Sequence, residues 1–181
     1  NTQGEHGLFI FAICMNLLQI YNLFLAGTCR TLQSLGAIQI GKKDKEAFRL
    51  VLNKSFMFIT ISMLSTCLLI SLFPGIITRV FGSSEPSILA ESNHVLRIFA
   101  VSFIPFCYIY FIMIVYKLYQ QDQMALFISF ALSLTVIPVL WVISHFAPGL
   151  TWYSYLIAYL LEIIMIASLH KMTRSKFQLA D

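Results

Sequence analysis

Residues 27–56, GTCRTLQSLGAIQIGKKDKEAFRLVLNKSF, decide how the chain is read. An apolar helix carrying Arg30, Gln33 and Gln39 runs into Gly41. A short charged connection, KKDKEAFR, follows and becomes the start of a second apolar helix. Polar groups within so hydrophobic a helix point to a protein interior or an aqueous path inside a bilayer. A basic turn between two such helices reports which side of the membrane it faces.

Composition agrees with a membrane origin. Of 181 residues, 59% are hydrophobic and only 11% are charged, with a mean hydropathy of +0.81. A soluble domain carries about 25% charged residues. The apolar runs are long enough to cross about 30 Å of hydrocarbon as helix. The expected class is therefore an all-α polytopic membrane protein, with 1–181 as a single transmembrane domain. The net charge of +4 requires no nucleic-acid partner, because its cations gather in loops. Cys14, Cys29, Cys67 and Cys107 lie in apolar runs without metal-ligand spacing, and read as packing residues.

The chain begins with a polar lead-in, NTQGEHG. A first span over about 8–40 is longer than a bilayer requires, so it tilts, bends near Gly27 or Gly36, or projects. Gly41 is expected to close it. The second span covers about 48–72 and stops before Pro74-Gly75. IITRVF then reads as an interfacial segment, and SSEP (83–86) as a turn leading into a short helix. The third span covers about 95–119 with Pro105 as a bend, and the turn QQDQ leads to a fourth span over 124–146 containing Pro138. Ala147-Pro148-Gly149 turns the chain into a fifth span over 150–169.

Placing 41–54, 117–123 and 170–181 on one side collects nine cations: Lys42, Lys43, Lys45, Arg49, Lys54, Lys117, Lys171, Arg174 and Lys176. The opposite side receives Arg79 and Arg97. This bias assigns the basic side to the cytoplasm and the start of the first span to the outside. An outside start without a basic-then-apolar leader predicts at least one helix upstream, in a longer polypeptide.

Two charged residues fall at bilayer depth, where each costs about 2.5–3.5 kcal/mol if it faces lipid. Arg30 belongs to a series, Gln19, Asn22, Ala26, Arg30 and Gln33, at steps of three, four, four and three. That spacing puts them on one helix face. The face either lines water, or supplies interhelical hydrogen bonds while Arg30 reaches for the surface. Glu162 follows Tyr155 and Tyr159 on one face of the last span. A carboxyl at low dielectric suits proton or cation exchange; a hydrogen-bonded structural Glu is the plainer alternative. Tyr108 and Tyr119 share a face of the third span, fit to stack on an organic cation or simply to pack.

An enzyme is not expected. His6, His94, His145 and His170 lie at or near span ends, and no Ser/His/Asp set, HExxH or phosphate loop is present. Neither a catalytic residue nor a metal site is predicted.

The order of these elements resembles one half of a multidrug and toxic compound extrusion (MATE) transporter. The resemblance rests on QSLGAIQIGKKDKEAFRLVLNKS, then LFPGIITRVFGSS, SILAESNHVLRIFAVSFIPF, the YKLYQQDQMAL turn and TWYSYLIAYLLEIIMI. These are similar to the family's G-x-x-D turn, its FP-x-x-I-x-x-x-FG segment and its LRI-x-A opening. The family fold has twelve helices in two halves around a lumen, so the five spans correspond to helices two to six of one half, more like the carboxy-terminal one. Two departures stand out: the third span lacks the acidic residue through which many members couple transport, and its end, YQQDQ, lacks the usual glycine.

The resemblance implies a secondary antiporter in the bacterial plasma (inner) membrane, exporting small organic, often cationic, compounds in exchange for Na⁺ or H⁺, with no other cofactor. Its partners would be the lipid bilayer, the substrate and the missing other half. Gln19, Asn22, Arg30, Gln33, Tyr108, Tyr155 and Tyr159 would line the path, with Glu162 as the coupling group. The competing expectations are a flippase for lipid-linked oligosaccharide or peptidoglycan precursors, whose pyrophosphate Arg30 would suit, and a non-transporting membrane anchor of a larger protein.

Overall fold

The computed structural model describes residues 4–82 and 85–177. Within them the chain forms α1 (Gly4–Gly41), α2 (Lys45–Leu72), α3 (Pro74–Val80), α4 (Pro86–Leu118), α5 (Asp122–Phe146), a 3-10 helix (Pro148–Tyr153) and α6 (Ser154–Phe177). No strand occurs among the described residues. Five helical segments are long and apolar enough to cross a membrane, so the chain is an all-α polytopic membrane protein. Helices bond most of their backbone groups within the segment, the solution hydrocarbon demands. The tail cations Lys171, Arg174 and Lys176, and the turn at Ser83 and Ser84, lie outside the residues whose side chains are described.

α4 is the centre of the bundle. It packs against α1, α2, α3, α5, α6 and the 3-10 helix. The face it turns to its neighbours mixes small residues (Ser92, Ala100, Ser102, Cys107) with large rings such as Phe103 and Phe106. Small residues let helix axes approach, which is how helices associate where lipid is as apolar as leucine. Gly36 of α1 does the same: a Cβ there would lie 3.1 Å from the Leu118 side chain and 3.4 Å from Phe48. Two apolar clusters result. One gathers Ile10, Ile13, Ile70, Leu96 and Phe103 at one end of the bundle. The other joins Leu25, Leu32, Met63, Phe111 and Ile128 toward the basic loops.

Several boundaries differ from the expected ones, each for a local reason. The third span was expected to open near residue 95 after a separate short helix. Instead α4 begins at Pro86, with Pro in its first turn, and its early turns are buried by Ser92, Val95 and Leu96. The hydroxyls of Ser92 and Thr78 are hydrogen-bonded, tying α4 to α3. α2 begins at Lys45 rather than 48, because Asp44 accepts a hydrogen bond from the Ala47 N–H at 2.9 Å and caps it. The fifth span opens with the 3-10 helix, not an α-helical turn at 150. There Thr151 Oγ1 donates to the Pro148 carbonyl (2.7 Å) and Ser154 Oγ to that of Thr151 (2.6 Å).

Gly41 does not close α1 by its own conformation. The left-handed residue is Lys43 (φ 56°), with the Asp44 N–H on the Gln39 carbonyl and the Lys43 N–H on that of Ile40. This is the Schellman ending, which glycine normally serves. α4 ends in the same way around Gln120 (φ 58°). At such a position a side chain costs free energy that glycine avoids. Gln120→Gly is therefore expected to stabilise the protein by about 1 kcal/mol, read as a raised thermal unfolding midpoint in detergent. An unchanged or lower midpoint would show that the Gln120 side chain repays its strain.

Candidate functional site

α1 presents two kinds of surface. Its buried stripe, Ile10, Cys14, Tyr21, Leu25, Cys29, Leu32 and Gly36, faces the core. On one flank Phe24 stacks on Phe58 of α2, ring centroids 5.7 Å apart. On the other, Phe11 meets Tyr155 of α6 at 6.4 Å. Eleven residues make just over three full turns, so Asn22 and Gln33 lie on the same side as Phe11. Gln19, Asn22, Ala26, Arg30 and Gln33 thus occupy the flank of α1 away from α2. Gln19 and Arg30 are exposed, and Asn22, Ala26 and Gln33 are half-buried.

Three hydroxyls of α1 are satisfied locally. Thr28, Thr31 and Ser34 donate to the carbonyls of Phe24, Gly27 and Arg30, four residues back. Gln19, Asn22, Arg30 and Gln33 behave differently: among the described residues none makes a side-chain hydrogen bond to another helix. Within this chain they do not act as interhelical glue.

Across α4 a set of aromatic rings forms a continuous series. Phe11 meets Tyr155; Tyr155 meets Tyr159 at 6.2 Å; Tyr159 meets Phe106 at 5.4 Å; and Phe106 meets Tyr110 at 6.4 Å. Phe99 joins edge-on to Tyr155 at 5.6 Å. The ladder runs from Phe11 of α1 to Tyr110 of α4. Phe99, Phe103, Phe106 and Tyr110, at steps of four, three and four, carried a readable signal for this face of α4.

Of the sequence-predicted site residues, the structure brings Tyr155 and Tyr159 into the ladder, on the side toward which the α1 stripe turns. Tyr108 is placed elsewhere. It contacts Phe56 of α2 at 5.6 Å, on the opposite side of α4 from Phe106. Tyr119 likewise meets Phe48 of α2 at 5.8 Å. The two tyrosines do share a face, and that face packs on α2.

Glu162 sits in the buried stripe of α6 with Ala158, Tyr159 and Ile166, and is 1% exposed. Neither Oε1 nor Oε2 has a hydrogen-bond partner. The plainer expectation, a hydrogen-bonded structural Glu, is not met among the described residues. A buried polar group in this condition costs stability, and natural structures keep few of them. No group of three metal-ligating side chains occurs among the described residues.

Two measurements follow from this geometry. Cysteines placed singly at 19, 22, 26 and 30 of the full-length protein, with Cys67 replaced by serine, should react with a polar thiol reagent. A cysteine at Leu25 or Leu32, buried against the core, should not. Inertness at all four stripe positions would mean that the stripe faces no water. Glu162→Leu should raise the unfolding midpoint, by the equivalent of about 1–3 kcal/mol, because it removes a buried carboxyl that nothing compensates. A lowered midpoint would show that the carboxyl is held by a partner in the whole protein.

A family model described as MatE matches residues 2–142. Neither a curated protein sequence nor a solved structure gives a significant match.

Proposed function

The chain belongs to the MATE family of membrane transporters, and from that premise we propose that it forms part of an antiporter for amphipathic organic cations. One observation carries the reading: the α1 polar stripe and the α4–α6 aromatic ladder turn to the same side of the bundle, away from α2. The half-buried rings of Tyr110 and Tyr155 would offer an organic cation their negative faces and accommodate its apolar body, while Phe106 and Tyr159 are buried. Unbonded amides at Gln19, Asn22 and Gln33 exchange partners with a passing solute at little cost, having no internal hydrogen bond to break.

Glu162 is the coupling group in this proposal. Its two buried oxygens have no hydrogen-bond partner, so a bound Na⁺ or proton would compensate what the protein leaves unpaired. The ion and the organic cation would then compete for one negative charge, the simplest arrangement for exchange. The path would be completed by a second, similar half, with 41–54, 117–123 and 170–181 at the cytoplasmic face of a bacterial plasma membrane. Tyr108, turned toward α2, is left out of the path.

Arg30 supports a second reading. An exposed guanidinium suits a phosphate or pyrophosphate head group, as in a flippase for lipid-linked precursors. Proteoliposomes of the full-length protein separate the two. A Na⁺ or H⁺ gradient should drive efflux of a cationic dye, and Glu162→Gln should lower the rate at least about tenfold at unchanged incorporation, if proton or cation transfer at this site supplies the usual factor. Full activity of that variant would remove Glu162 from the scheme. Translocation of a lipid-linked pyrophosphate without dye efflux would favour the flippase.

A further inference from the structure

The basic loops, which served above only to orient the chain, enclose a groove. It has a volume of about 650 Å³ and lies between the α1–α2 turn and the end of α4. Lys43, Lys45 and Arg49 contribute charge to its wall, and Ile40, Phe48 and Leu118 contribute apolar surface. Lys43, Lys45 and Arg49 are exposed, and none forms an ion pair among the described residues. Of the nearby carboxylates, Asp44 is occupied in capping α2. The loops 41–54 and 117–123 together carry six cations against Asp44, Glu46 and Asp122.

A second groove, of about 630 Å³, borders the first at Tyr119, which lines both. Its wall is almost wholly apolar, formed by Leu52, Ile112, Val115, Ile163 and Ile166. The two are aligned by helix periodicity. On α2, Lys45, Arg49 and Leu52 follow at steps of four and three; on α4, Tyr119, Val115 and Ile112 do the same in the opposite direction. Each helix thus descends on one face from a charged mouth to an apolar trough. The basic mouth lies at the helix ends and the trough one to two turns deeper.

We propose that this pair of grooves binds an anionic phospholipid, its phosphate among Lys43, Lys45 and Arg49 and an acyl chain in the trough between α2, α4 and α6. A free anion would use the mouth alone; only a lipid uses both parts. Basic residues at a membrane surface attract anionic lipid additively, and the apolar trough supplies the burial that a soluble phosphate cannot use.

The test is thermal unfolding of the detergent-solubilised full-length protein with four additives: dioleoyl phosphatidylglycerol, dioleoyl phosphatidylcholine, glycerophosphoglycerol and inorganic phosphate. Phosphatidylglycerol should raise the midpoint with a half-saturating concentration about tenfold below that of phosphatidylcholine. The two chain-free anions should leave the midpoint unmoved. Combined Lys43→Gln, Lys45→Gln and Arg49→Gln should abolish the preference, while Lys43→Arg with Lys45→Arg should keep it. Equal responses to the two lipids, a preference surviving the triple substitution, or an equal response to glycerophosphoglycerol or phosphate would each overturn the proposal. None of these readouts involves transport, so they stand or fall apart from the antiporter reading.

Discussion

The packing of α4 against every other element is the constraint on which this bundle depends. In water, burial of apolar surface would hold such helices together; in a bilayer the alternative partner is a lipid chain of equal polarity, and close fit must do the work. α4 supplies that fit with a buried face that mixes small residues and rings. Tyr21 of α1 stacks on Phe103 at 5.7 Å with the rings almost parallel, and Phe56 of α2 meets Phe111 at 5.5 Å. α1 and α2 also pack directly on each other, with Phe24 stacked on Phe58, so the three helices fix one another. The direction in which the α1 stripe points is therefore set by its packing on α2 and α4 together, not by the stripe's own chemistry.

Much of this was legible before any coordinates. Five helices follow from apolar runs too long and too uncharged for a soluble core, and the stripe from Gln19 to Gln33 follows from the 3.6-residue period. Glu162 stands out because a carboxyl in LLEIIMI has no other explanation in composition. Periodicity, however, says which residues share a face and not what that face meets. Tyr108 and Tyr155 looked alike in the sequence, and only the packing separates them, one toward α2 and the other into the ladder. The helix starts failed for a different reason. SILAES is polar enough to read as a connection, yet Ser92 is buried against α3 and Ile88 packs half-buried on the core. The 3-10 start of the last span is decided by a proline and two hydroxyls that no hydropathy window registers. The left-handed Lys43 and Gln120 are one residue or more from where a glycine would have announced them.

Opposite charges at bilayer depth usually find each other, and here they do not. Arg30 is exposed on the outer flank of α1, whereas Glu162 is buried within α6. A salt bridge between them would settle both, at the cost of fixing the two helices in one arrangement. Kept apart, each stays available to something mobile. Residues 27–56 thus contribute Arg30 of α1 to a shared face and the basic turn into α2 to a groove.

The central place of α4 also orders events during synthesis. Residues 4–72, a hairpin of two long helices, leave the ribosome well before residue 118, an interval on the order of seconds at ordinary elongation rates. Throughout that time Leu25, Cys29 and Leu32 of α1, and Met63 of α2, lack the helix that will bury them. Lipid must serve as a temporary neighbour, which it does at no cost for leucine and at some cost for the amides and guanidinium beside them. The hairpin therefore waits in the membrane as a half-solvated intermediate, and the arrival of α4 sorts its surfaces into core and periphery.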